Sequence, residues 1–76
     1  MMQARKRIMA LSARNKLVGK VKDVKIGEVM AQVTVKVGGN LIDSVITRSS
    51  AEELNLKKGD TVTVVIKSTE VMIQKD

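Results

Sequence analysis

Apolar and polar residues alternate over most of this chain. Val29, Ala31, Val33, Val35 and Val37 alternate with Met30, Gln32, Thr34 and Lys36. That period of two predicts a half-buried β-strand. Val62, Val64 and Ile66 alternate with Thr61, Thr63 and Lys67 in the same way. Leu17, Gly19 and Val21 alternate with Lys20 and Lys22, and the phase then slips to Val24 and Ile26. A slip of one residue predicts a β-bulge or sharp bend near Lys22–Asp23, which lets one strand serve two sides of a small barrel. From Leu41 to Thr47 apolar residues occupy both phases, Ile42 and Ile46 against Leu41 and Val45. A strand covered on both faces fits a core on one side and another subunit on the other.

Turn residues separate these strands. Gly27-Glu28, Gly38-Gly39-Asn40 and Lys58-Gly59-Asp60 mark the loops, and Gly-Gly-Asn permits the positive φ of a hairpin. One helix is predicted, at Ser50-Ala51-Glu52-Glu53-Leu54, with Ser49 or Ser50 as cap, Glu52 or Glu53 in the capping-box position, and Asn55 as its end. A last short strand is predicted at Val71 to Ile73. The expected order is β-β-β-α-β-β.

Composition tightens this picture. The 76 residues make one small domain, and they contain no Phe, Tyr, Trp, Cys or His. The core is therefore built from Val, Ile, Leu, Met and Ala alone. A domain of this size buries only about 60% of its unfolded surface. Neither a disulfide nor a His/Cys zinc site can supplement it, which leaves oligomerisation as the usual support.

Charge divides the chain in two. The net charge is +6, and Arg5, Lys6 and Arg7 lie in a segment, residues 1–10, without any acid. That segment reads as a basic tail, and residues 11–76 read as the folded domain. The domain carries 11 basic and 8 acidic residues, a mild excess that fits an anionic partner without requiring nucleic acid. No stretch approaches the roughly 18 apolar residues of a membrane helix. No apolar segment of a secretory signal follows the basic patch. A cytoplasmic location is the expectation.

The chain is poor in groups for catalysis and rich in hydrogen-bond donors. Without His or Cys, the common general bases and thiol nucleophiles are missing, and no glycine-rich phosphate loop occurs. Glu52 and Glu53 share one short helix and read as solvated acids. No enzyme is expected, and no bound cation or cofactor. The donors lie in three places. Ser12, Arg14 and Asn15 lie at the entry of the first strand, Thr47 and Ser50 flank the helix start, and Lys67-Ser68 ends the fourth strand. A solvated strand start, a helix cap and a strand end account for these one by one. Together they also fit an oxyanion site, with the forked guanidinium of Arg14 and the free N–H groups of a helix start aimed at an anion.

Three blocks carry a family resemblance. S-A-R-N-K-L-x-G-x-V begins at Ser12, S-V-I-T-x-x-S-A-E-E-L-x-L-x-x-G-D at Ser44, and V-I-K-S-T-E-V-M-I at Val65. Their order and spacing resemble the molbindins, the stand-alone Mop domains, and the C-terminal repeats of molybdate-responsive regulators and molybdate transporter ATPases. The likeness runs from Leu11 to about Lys75. It implies a five-stranded barrel of the oligonucleotide/oligosaccharide-binding (OB) type with one short helix between strands 3 and 4. It implies a homo-hexamer, a trimer of dimers, holding molybdate or tungstate at subunit interfaces for storage or homeostasis. By position it assigns Ser12, Arg14, Thr47, Ser50, Lys67 and Ser68 to the oxyanion, with Ala13 and Asn15 as neighbours that contribute backbone or amide groups.

The chemistry agrees with that assignment. Molybdate is a tetrahedral dianion with four acceptor oxygens and no donor. An all-donor site satisfies it and leaves the proton of hydrogen phosphate without a partner. The competing reading is a small nucleic-acid-binding barrel with a basic arm. Such barrels stack bases on aromatic side chains, worth about 1–3 kcal/mol per base, and this chain has no aromatic residue.

Overall fold

The first strand is long because it serves two neighbours in turn. The structure, a computed structural model, describes residues 14–76. The expected basic tail at 1–10 lies outside the described residues. Strand β1 (Asn15–Ile26) is followed by β2 (Met30–Val37), β3 (Asn40–Thr47), helix α1 (Arg48–Glu53) and β4 (Thr61–Ile66). The sheet is antiparallel, in the order β3-β2-β1-β4. The first half of β1 pairs with β4, from Asn15↔Ile66 to Lys20↔Thr61. The second half pairs with β2, from Lys20↔Lys36 to Ile26↔Ala31. The change of partner comes just before a register shift between Val21 and Asp23, the bulge that the phase slip predicts.

The period-two pattern decides which face is buried. Val21, Val33 and Val35 form the centre, with Val24, Val37, Ile46, Leu56, Val62 and Val64 packed around them. Ala31 and Ala51 are also buried, so the helix packs on the end of the sheet. Val37 and Asn40 pair across a two-residue turn, Gly38-Gly39, with Gly38 at φ 59°, the conformation that glycine adopts without a Cβ penalty.

Four expectations are corrected. Val29 lies in the bend before β2 and is exposed rather than in the strand. The helix begins at Arg48 with Thr47 as its cap, not Ser49 or Ser50, because Thr47 is the last extended residue and its hydroxyl reaches the Ser50 amide. Asn55 follows with a positive φ of 52°. The final strand is not formed. After Ile66 the chain turns through a 3-10 segment, Ser68–Glu70, and leaves the sheet. Three apolar residues offer too few ladder bonds to return it. Among the described residues the sheet is therefore four-stranded and open, not a closed five-stranded barrel. Its edges, β3 and β4, flank an apolar groove of about 190 Å³ lined by residues such as Val33, Ile46, Leu56 and Val64.

Candidate functional site

The β1–β4 ladder ends on a cluster of donors. Its last pair is Asn15↔Ile66. Arg14 immediately precedes that pair and Lys67 immediately follows it, so the register sets the two cations side by side. The Asn15 side-chain amide donates to the Ile66 carbonyl oxygen at 3.3 Å and ties the two chain segments together at this point. Strand alternation puts Arg14 and Lys16 in phase with Val65 and Lys67, on the face opposite to Val62, Val64 and Ile66. Lys67 remains extended, at φ −66° and ψ 139°, and Ser68 opens the turn that follows. Neither Arg14 nor Lys67 forms an ion pair among the described residues, where the pair found is Arg48–Glu52 at 2.9 Å. Glu70, in the turn, is the acid nearest to Lys67 along the chain.

A second donor group sits at the start of α1. The Ser50 amide donates to Thr47 Oγ1 at 3.1 Å, and Thr47 Oγ1 donates to Ser50 Oγ at 2.8 Å. The Thr47 hydroxyl is thus used twice within the cap. The Ser50 hydroxyl accepts from Thr47 and keeps its own proton to give outward. The cap forms here because Thr47 carries the extended dihedrals of an N-cap, φ −70° and ψ 152°.

The two groups lie at opposite ends of β1. Thr47 pairs with Met30, next to Ala31, which pairs with Ile26, the last residue of β1. Asn15 is its first. No hydrogen bond joins the two groups among the described residues. The chain therefore brings together Arg14, Asn15, Lys67 and Ser68, and separately Thr47 and Ser50. Ser12 and Ala13 lie outside the described residues. Sequence reasoning missed two features. The Arg48–Glu52 pair was readable from its i,i+4 spacing. Lys16, in phase with Arg14, was readable from the alternation.

All site residues that the structure describes are exposed or half-exposed, and they supply a guanidinium, an ammonium, an amide and hydroxyls. This set can neutralise and surround a small dianion. It offers no general base.

Comparison with known proteins converges on one family. Residues 11–73 match the TOBE domain. The chain is 52% identical over 66 residues to molybdenum-pterin-binding protein 1 of Clostridium pasteurianum, covering 86% of this chain and 97% of that protein. Among solved structures, a molybdate-binding protein from Sporomusa ovata superposes with a TM-score of 0.84 at 39% identity, over 88% of this chain and all of that one. The cytoplasmic molybdate-binding protein ModG, in a form with molybdate bound, superposes with a TM-score of 0.72 at 44% identity, over 76% of this chain and 42% of that one.

Proposed function

The chain belongs to the TOBE domain family, among its molbindin-like members, and from that premise we propose that it binds molybdate or tungstate as an intracellular store or buffer. The observation that carries this reading is the placement of Arg14 beside Lys67 by the Asn15↔Ile66 register. Two cations held side by side on an acid-poor strand end match the charge of one dianion. Charge-assisted hydrogen bonds of this kind contribute about 1.5–3 kcal/mol each. The relatives' names point the same way, to molybdate and to molybdenum-pterin.

The site is shared between subunits. Thr47 and Ser50 stand at the far end of β1 from Arg14, so a donor shell using both groups takes them from two protomers. The Ser50 hydroxyl, the Arg14 guanidinium, the Lys67 ammonium and the hydroxyls of Ser12 and Ser68 then face one anion, with backbone groups near Ala13 beside them. Exposed apolar residues on β3 and the open groove between β3 and β4 support assembly into a homo-oligomer, a hexamer in this reading. The protein acts in the cytoplasm, binds no nucleic acid through its domain and catalyses no reaction.

Calorimetric titration with molybdate, tungstate, sulfate and phosphate tests the reading. Saturable binding of the first two, with phosphate excluded, is the expected result. Equal binding of phosphate would refute an all-donor site.

A further inference from the structure

The outer face of the sheet carries more positive charge than one bound dianion requires. Lys20 lies on β1 in the same outward phase as Arg14 and Lys16, and its ladder partner on β2 is Lys36. Both lysines are exposed. Like charges directly opposite each other destabilise an antiparallel pair, and no packing requirement places them there. No ion pair among the described residues neutralises either one. Two acids, Asp23 and Asp43, lie on the neighbouring part of this face, one on each side of Thr34, and the Asp43 carboxylate accepts a hydrogen bond from Thr34 at 2.8 Å. Neither is the ladder partner of Lys20 or Lys36. On the other side Lys20 faces the neutral Thr61. A break in a local rule of this kind is expected at functional positions.

Distance limits what the pair can do. Lys20 is six residues along β1 from Arg14, at most about 20 Å at ~3.3 Å per residue. Neither lysine touches an anion held by Arg14 and Lys67 of its own protomer. Both act on it through the field, whose reach is about 30 Å at about 0.01 M salt and about 3 Å at about 1 M.

We propose that Lys20 and Lys36 form an electrostatic guide, which draws oxyanions over the outer face of the sheet toward the Arg14–Lys67 site without contacting the bound ion. The proposal rests on the oxyanion reading above. It assigns a role to charges that the site itself leaves unused, and it predicts a graded dependence on charge that direct contact would not give.

The test is calorimetric titration of the oligomer with molybdate at about 0.01 M and about 1 M sodium chloride. The proteins are wild type, Lys20→Gln/Lys36→Gln, Lys20→Glu/Lys36→Glu and Arg14→Ala. At low salt the neutral double variant should bind about three- to fivefold more weakly, and the charge-reversed one about tenfold or more. The reversed pair keeps a like-charge contact, so it matches wild type in cross-strand repulsion. At high salt both losses should vanish, while the loss in Arg14→Ala should remain. Unchanged affinity at low salt would overturn the guide. A loss that persists at high salt would overturn it too, because the lysines would then be ligands or structural. Wild type that fails to bind molybdate at either salt would overturn the oxyanion reading and the guide together.

Discussion

The Asn15 amide donates to the Ile66 carbonyl oxygen at 3.3 Å, one residue inside the point where Arg14 and Lys67 leave the ladder. This bond ties together the two segments that carry Arg14 and Lys67. Asn15→Ala should leave the sheet folded and weaken molybdate binding about two- to tenfold, since an exposed neutral hydrogen bond contributes about 0.5–1.5 kcal/mol. Removing a charge should have a larger effect. Arg14→Ala or Lys67→Ala should each weaken binding about 10–150-fold. Arg14→Lys should also lose affinity, because an ammonium cannot reproduce the fork. Titration of intact oligomers decides. Equal losses for Asn15→Ala and Arg14→Ala would place Asn15 on the anion itself.

Gly19 is fixed by close approach rather than by backbone freedom. A Cβ there would meet the Lys36 carbonyl oxygen at 2.5 Å and methyl carbons of Val35 and Val37 at 2.8 Å. The carbonyl belongs to the β1–β2 ladder and cannot move aside alone. Gly19→Ala should therefore destabilise the fold by about 1–3 kcal/mol or more. Urea unfolding followed by far-UV circular dichroism measures this, and an unchanged midpoint would contradict the tight β1–β2 approach.

Thr47 serves the helix before it serves any ligand. Its hydroxyl accepts from the Ser50 amide and donates to the Ser50 hydroxyl. Thr47→Ala should lower stability by about 1 kcal/mol, and Thr47→Ser should restore most of it. Ser50→Ala should cost less stability and more affinity, because it removes the hydroxyl whose proton the cap leaves unused. Thermal unfolding paired with molybdate titration separates the two. The reverse ranking would make Thr47 the direct ligand.

Much of this arrangement is legible in period-two alternation. Val33, Val35, Val62 and Val64 announce their strands and their inward face, and the slip between Val21 and Val24 announces the bulge. The donors Arg14 and Lys67 are also legible one by one, but their proximity depends on the register of β1 against β4, which turns and bulges set and alternation alone does not. The end of the chain is misread for a related reason. Val71-Met72-Ile73 has strand composition, yet a strand exists only where an edge receives it, and Met72 is 93% exposed. The cap is misplaced by two or three residues because Thr47, Ser49 and Ser50 are all competent caps, and only the end of β3 selects Thr47.

The same exposed surface sets the last prediction, which concerns assembly. Val45 is 64% exposed, on the outward phase of an edge strand and opposite Gln32 rather than Lys36. Among the described residues the buried apolar ones are Val21, Ala31, Val33, Val35 and Ala51, a small core for an isolated domain of about 60–80 residues. The free edges of β3 and β4 and the groove between them add surface that a lone protomer leaves to water. Sedimentation velocity at micromolar concentration should give a multiple of the 8.3 kDa protomer, sixfold if the assembly is a hexamer. Val45→Asp should shift that mass downward. Because Val45 is already largely exposed in the protomer, the substitution adds little strain within the fold itself. Its effect should therefore fall on association, and molybdate affinity should fall with it if the site is shared between subunits. A wild-type protein that sediments as a single protomer would end the interface proposal. An assembly dissolved by Val45→Asp with affinity intact would confine the site to one chain.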